Sequence, residues 1–382
     1  MLLESLKYNR LKGKSKEWRI EGRNGDPVRF GRMNLIVGKN SAGKTLTLAV
    51  IREIAALLSG RRRLPELRHA SACYDISFRD GDDVYRYIIE YENKSILSES
   101  LSLNGEDKTN RAAKQLLSAT SGAWETVHVE DNELLVSLHE ASKYPSLEKL
   151  YRWGDALKNT VFSNQAEKNF LPDDLSKVDA DTPTMAKEPA ALLHTVIRGQ
   201  KLFGTAFTER IIRDMNMLGY EISSLDIQKI EQGYALCVQE AGMDDATDQI
   251  EMSQGMFRAL SFLINLNFAR MNRRPVCILI DDLGEGLDFN RSELLSDLLA
   301  DDGNEAAIQL FITTNDRYIM NKFPLRYWTV IERNESKTVF YNYYNSQAFF
   351  DDFAYTGLSN FDFLATDFYI YGFGEVQEEE ET

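Results

Sequence analysis

Gly38-Lys39-Asn40-Ser41-Ala42-Gly43-Lys44-Thr45 is the stretch that decides the fold. It fits G-x-x-x-x-G-K-[ST], a pattern whose glycines let the backbone wrap a phosphate. Met33-Asn34-Leu35-Ile36-Val37, just before it, reads as a short buried strand. From Thr45 to Leu58 the spacing puts Leu48, Ile51, Ala55 and Leu58 on one helical face, and Gly60 supplies a stop. A loop between strand and helix is the setting this chemistry requires, because the first N–H groups and the dipole of the helix favour an anion. Lys44 can then reach the β/γ-phosphates, and the Thr45 hydroxyl can ligate Mg²⁺.

Two later stretches decide which kind of phosphate-loop protein this is. Val276-Cys277-Ile278-Leu279-Ile280-Asp281-Asp282 is an apolar run ending in paired carboxylates, a buried strand delivering acids to a sheet edge. Asp281 is placed to hold Mg²⁺ through water, and Asp282 stands where a general base would polarise the attacking water. Between the two motifs, Met252-Ser253-Gln254-Gly255-Met256-Phe257-Arg258 opens an apolar helix running to about Phe268. This segment resembles the signature motif of the ABC-type ATPases, L-S-G-G-Q with a basic residue just after, and the order of the three motifs is that family's order. Ser253 can cap the helix, whose first-turn N–H groups then face a phosphate. Gly286-Leu287-Asp288 matches the D-loop position, and Phe311-Ile312-Thr313-Thr314-Asn315-Asp316 the switch loop.

The resemblance implies an α/β fold, a P-loop NTPase of ABC type with a mixed central sheet, an antiparallel β arm and an inserted helical lobe. It implies ATP and Mg²⁺ as cofactors and a signature that meets the γ-phosphate held by the other subunit, so at least a homodimer built through shared ATP. Gly38, Asn40, Ser41, Gly43, Lys44, Thr45 and Leu46 are the implied nucleotide contacts of one protomer, and Ser253, Gly255 and Asp288 those of its partner. Asp282, Lys44 and Asn315 are the implied catalytic residues. Thr45, Asp281 and a Q-loop glutamine are the implied metal ligands; Gln165, in Phe162-Ser163-Asn164-Gln165, is the first choice and Gln115 the alternative. Two departures stand out. Asp282 replaces the usual Glu and is one methylene shorter; Asn315 replaces His, so it can hydrogen-bond but cannot titrate. Both point to slow hydrolysis, or to nucleotide used as a clamp.

The rest of the chain fits that expectation. Its 382 residues suffice for two to three domain-sized units, and its apolar and charged fractions are those of a globular protein. No apolar run approaches a membrane span, and Met1-Leu2-Leu3-Glu4-Ser5-Leu6-Lys7 carries no signal-peptide pattern, so a cytoplasmic location is expected. Cys73, Cys237 and Cys277 lie far apart in apolar stretches and read as buried thiols. His69, His128, His139 and His194 show no ligand spacing. The formal net charge of −15 disfavours non-specific DNA binding over the whole surface, which leaves local patches open: Arg61-Arg62-Arg63 with Arg68, and Arg273-Arg274. These clusters read first as solvated charge at helix ends and turns.

Residues 1–107 and 231–345 are expected to form a split ATPase core, 108–230 the inserted helical lobe, and 346–382 an aromatic-rich cap with an acidic tail. Asp80-Gly81-Asp82 reads as a hairpin turn inside the β arm. Candidate helices of the lobe are Arg111 to Ser118, Ser146 to Lys158, Glu188 to Gly199 and Phe207 to Leu218, with an acidic connector from Asp173 to Pro183. Tyr234 to Gln239 reads as a strand leading to the signature. Phe349 to Phe373 is dense in aromatics, either a packed cap or a protein–protein interface. Glu375 to Thr382 is an acidic tail, a disordered end or a handle for a partner.

No sustained heptad run is present, so the long coiled coils of SMC proteins are absent. The machinery resembles the stand-alone ABC-type ATPases related to the RecF, SMC and OLD families. No Toprim pattern follows the switch loop. Compact ATPases of this type are similar to ATPase subunits of bacterial anti-phage defence systems such as PARIS. That resemblance implies a scaffold controlling a separately encoded effector, such as a Toprim-type nuclease. The alternative is a DNA-repair or recombination accessory that clamps DNA in the ATP state through a basic patch. A membrane partner is not expected.

Overall fold

The computed structural model describes residues 1–161, 168–175, 191–302, 308–334 and 337–374. They fall into two compact units. The first comprises Met1–Leu157, Gln309–Thr313 and Phe323–Thr382; the second comprises Lys158–Ile308 and Thr314–Lys322.

The first unit is organised around a large mixed sheet. Ile308–Thr313 runs parallel to Met33–Val37, which runs parallel to Trp328–Asn334. Every residue of Met33–Val37 and of Ile308–Thr313 is buried, the pattern of a parallel strand covered on both faces. Trp328–Asn334 turns back antiparallel into Lys337–Asn342, which pairs in parallel with Trp18–Gly22. From there the sheet is antiparallel, through Leu2–Arg10, Ala72–Asp80, Asp83–Glu92 and Ser95–Leu103. Burial in this arm alternates, because one face packs and the other meets water: Tyr74, Ile76 and Phe78 point inward from one strand, Tyr87, Ile89 and Tyr91 from the next. The turn expected at Asp80-Gly81-Asp82 is there, with Asp80 opposite Asp83 and Gly81 at φ 64°.

The aromatic C-terminal stretch packs on itself. Phe363 is fully buried, with the rings of Phe350, Phe353, Phe368 and Tyr369 4.6–6.1 Å away, centroid to centroid. The acidic tail from Glu375 lies outside the described residues.

In the second unit, Lys158–Val161 pairs in parallel with Val276–Asp281. An antiparallel sheet of Ile222–Ile230, Gly233–Glu240 and Thr247–Asp248 precedes the long helix Gln254–Asn272. Ala191–Phe203, Thr205–Met217 and Phe289–Asp302 supply further helices.

The 108–230 block is therefore not a helical lobe throughout. Arg111 to Ser118, expected as a helix, instead contributes the strand Gln115–Leu117 to a three-stranded sheet with Thr109–Asn110 and Trp124–Thr126. Local propensity loses to tertiary pairing here. Thr109 Oγ1 accepts the Leu101 N–H, Asn110 Oδ1 accepts the Ala113 N–H, and Arg111 donates to the Glu130 and Glu133 carbonyls. The strand Ile222–Ile230 was likewise not foreseen. It alternates weakly, with only Ile222 and Leu225 buried. Residues 188–190 of another expected helix, and most of the acidic connector, lie outside the described residues.

Candidate functional site

The phosphate loop belongs to the first unit. Met33–Val37 ends at Gly38, and the helix Lys44–Leu58 starts after Gly43, which sits at φ 110° and gives no side-chain cap. Gly38 has no room for a side chain: a Cβ there would stand 2.6 Å from the Ile331 carbonyl oxygen. Lys44 is 7% exposed, and its Nζ donates to the carbonyls of Gly38 at 2.8 Å and Lys39 at 3.3 Å. Asn40, Ser41 and Thr45 are exposed, Leu46 is half-buried, and Ser41 stands at φ 63°. A backbone cradle that a side chain would fill, with a buried ammonium at its floor, fits a phosphate. Two tethers hold the loop from the C-terminal part of the same unit. Lys39 Nζ pairs with Asp367 at 3.0 Å, and Arg333 Nη1 donates to the Ser41 carbonyl at 3.3 Å. Trp18 packs from the other side, its ring 3.2 Å from where a Gly43 Cβ would stand. No local spacing in the sequence marks the tethers or Trp18, because sheet topology brings them to the loop.

The remaining motifs belong to the second unit. Asp281, 9% exposed, ends the strand Val276–Asp281, and Asp282 turns the chain at φ 55°. Among non-glycine residues Asp is one of those that tolerates this conformation. A cavity of about 520 Å³ is lined by Asp282, Gly284, Phe289, Asn315, Asp316 and Tyr318 among others, so the structure brings the acid and the switch asparagine into one cleft. The Thr314 hydroxyl donates to the Leu283 carbonyl at 2.8 Å and ties the switch loop to the acid turn.

The signature lies beside a second cavity of similar volume, shared by Ser253, Gly255, Asp288, Tyr220 and Arg291. Ser253 Oγ accepts the Met256 N–H at 3.2 Å, the expected cap. Gly255 is needed for close approach: a Cβ there would stand 2.7 Å from the Gly286 carbonyl oxygen. Arg258, the basic residue just after the signature, donates to the Glu285 carbonyl at 2.6 Å and so binds signature to D-loop. Asp288 caps the next helix, accepting the Arg291 N–H at 3.0 Å and pairing with the Arg291 guanidinium. These bonds, the backbone one foremost, hold its carboxyl below the usual range. Arg291 also lies 4.3 Å over the Tyr220 ring, a partner the sequence did not disclose.

Gln165 lies outside the described residues. Gln115, the alternative, is on a strand of the small three-stranded sheet in the first unit, paired with Asn110 and Thr126, rather than in a loop. Among the described residues no cluster of three or more His, Cys, Asp or Glu could hold a metal. Thr45 in the first unit offers a hydroxyl and Asp281 in the second a carboxylate, each an oxygen donor of the kind Mg²⁺ takes beside waters and substrate phosphates. Cys237 and Cys277 are buried, Cys73 only partly, and all three are free thiols. Among the described residues no helix is long and apolar enough to cross a membrane.

Of the basic clusters, Arg61 is committed internally: it donates to the Gly154 carbonyl and to Ser59 Oγ, and burial pulls its pKa down. Arg63 accompanies Glu66 in a cap. A different set stands free. Lys12, Lys14 and Lys16 are exposed on the loop between Leu2–Arg10 and Trp18–Gly22, with no ion-pair partner among the described residues. Glu17 beside them is occupied by Arg19, Asn9 and the Gly13 N–H. Nearby, burial first and then Arg10, Arg68 and Lys94 push the His69 pKa down to about 4, which marks a concentration of cations at this end of the arm.

No family model matches the chain, and no curated protein does. Solved structures match nearly its whole length. An SMC head bound to the C-winged helix domain of ScpA aligns at 15% identity over 89% of this chain and 97% of that one, with TM-score 0.51. An SMC head with an extended coiled coil, bound to the C-terminal domain of ScpA derived from Pyrococcus furiosus, aligns at 14% identity over 92% and 99%, with TM-score 0.52. The chain thus has the mixed α/β fold of the SMC head domains, the ABC-type ATPase fold.

Proposed function

We propose that this chain is a regulatory ATPase that binds ATP with Mg²⁺, hydrolyses it slowly and assembles through ATP shared between protomers. The observation that carries this reading is the pair of cavities in the second unit, one joining Asp282 to Asn315 and the other Ser253 and Gly255 to Asp288. Lys44 and the Gly38–Gly43 backbone hold phosphate; the Thr45 hydroxyl, and in the second unit the Asp281 carboxylate, are the oxygen donors offered to a metal, which would neutralise charge on the transferred phosphoryl group. Asp282 accepts a proton from the attacking water, and Asn315 orients that water by hydrogen bonding alone. A short acid on a turn and a switch residue that cannot titrate support slow turnover, well below about 10 s⁻¹. Ser253 and Gly255 receive the partner's nucleotide, with Asp288 beside them. The assembly controls a separately encoded effector, of Toprim-nuclease type, in anti-phage defence. That step rests on resemblance to defence ATPases such as those of PARIS. The ScpA domains bound to both SMC heads support a protein partner.

Mass photometry with ATP·Mg²⁺, with ADP and without nucleotide, run beside Ser253→Glu, tests the shared site. ATP-dependent oligomers lost in the variant are expected; a monomer throughout would overturn it. Co-expression with the product of the neighbouring gene under phage challenge tests the defence role. Protection that survives Lys44→Ala would remove ATP from it.

The free lysines of the Leu11–Glu17 loop favour a second reading, a DNA accessory that clamps DNA in the ATP state. Salt-sensitive DNA binding lost on changing Lys12, Lys14 and Lys16 to Glu, and kept on changing Arg61 to Ala, would select it.

A further inference from the structure

Three segments meet at Asp316, the residue after Asn315. One carboxylate oxygen accepts the Ser292 hydroxyl at 2.9 Å. The other accepts the Tyr318 N–H at 2.7 Å and the Ile319 N–H at 3.4 Å, capping Arg317–Lys322. The Asp316 N–H donates to Thr314 Oγ1 at 3.0 Å, and that hydroxyl donates onward to the Leu283 carbonyl. Asn315 is thus held on both sides. Ser292 sits one turn into Phe289–Asp302, where its N–H donates to the Asp288 carbonyl at 3.0 Å. Ser292 and Thr314 are both fully buried, so water cannot replace their bonds. The edge-to-face contact of Phe289 and Tyr318, 4.7 Å between centroids, joins the same two helices.

We propose that Ser292 and Asp316 are positioning residues that carry the placement of the Asp288 loop to Asn315, and so into the cleft it shares with Asp282. This rests on the hydrolytic reading of that cleft. Whatever settles Asp288, a partner's nucleotide in that reading, moves the start of Phe289–Asp302. The buried hydroxyl then moves Asp316, and Asn315 moves with it. A change of about 1 Å at a water-orienting group is enough to alter turnover by roughly 10²-fold. Assembly and hydrolysis are thereby linked within one protomer's backbone.

Ser292→Ala removes the link and leaves the Asp316 cap in place. Single-turnover hydrolysis by the full chain, fluorescent-ATP titration and thermal melting are measured on it, on Ser292→Thr and on Asp288→Ala with and without Ser292→Ala. The expected result is a fall of roughly tenfold in rate with affinity unchanged and melting temperature lowered by no more than about 4 °C, recovery in Ser292→Thr, and a double variant no slower than the slower single one. A wild-type rate in Ser292→Ala, or rate, affinity and melting temperature falling together, or additive losses in the double variant, would overturn the coupling alone. Absence of Lys44-dependent turnover in the unmodified chain would overturn the hydrolytic reading, and the coupling with it.

Discussion

The helix Lys44–Leu58 and the helix Gln254–Asn272 each begin at a loop expected to meet phosphate, and they begin differently. Gly43 offers the first helix no side-chain cap, so in the proposed reading the opening N–H groups and the buried Lys44 are left to meet an anion from one stretch of chain. The second helix is already capped by Ser253, and carboxylates line its cavity: Glu240, Glu251 and Asp288, against the single cation Arg291, itself paired with Asp288. A free phosphate gains little there, because the acids oppose it. A phosphate already neutralised by a lysine and a metal meets less opposition. The difference supports a first site that binds alone and a second that works only on nucleotide another protomer brings.

Lys44→Ala is the strongest way to break this comparison. Losing a buried charged donor is expected to weaken ATP binding by roughly 100-fold or more, read by fluorescent-nucleotide titration; wild-type affinity would mean that the first site is not the primary one. Asp282→Asn should lower turnover by roughly 10²–10³-fold while binding persists, and ATP-dependent assemblies should accumulate in mass photometry. Turnover that survives the change would move the base elsewhere. Ser253→Glu adds a fourth carboxylate to the signature cavity and should abolish assembly while each monomer keeps its ATP affinity. Gly255→Glu is a poorer probe, because its Cβ would meet the Gly286 carbonyl and disturb the fold itself. The smallest effect is expected at the first site's outer tether. Lys39 is 70% exposed in its pair with Asp367, and such pairs contribute about 0–1 kcal/mol, so Lys39→Ala should shift ATP affinity by less than about fivefold. A larger shift would show that the C-terminal aromatic region sets the loop's conformation.

Where a motif is continuous, the sequence was enough. Gly38 to Thr45, Ser253 with its helix and Asp281-Asp282 at a strand end all appear as read, since strand-loop-helix geometry is set by neighbours in the chain. The β arm was also legible, because alternation and a Gly81 turn encode antiparallel pairing. The stretch Arg111 to Ser118 misled: two alanines and a leucine pair suggest a helix, while Arg111 is held by the Glu130 and Glu133 carbonyls beyond the stretch. The C-terminal aromatics were legible as a packed cap or an interface but not as a neighbour of the phosphate loop, which the Lys39–Asp367 pair discloses.

The sequence by itself determined which residues are proposed to touch phosphate and metal, because that proposal depends on side-chain type and on spacing within one turn or loop. Only the tertiary structure decided what stands behind them. Trp18 against Gly43, Arg258 on the D-loop carbonyl, Arg291 over Tyr220 and Ser292 on Asp316 join segments tens of residues apart. Such contacts arise from sheet order and helix packing, which no local pattern records.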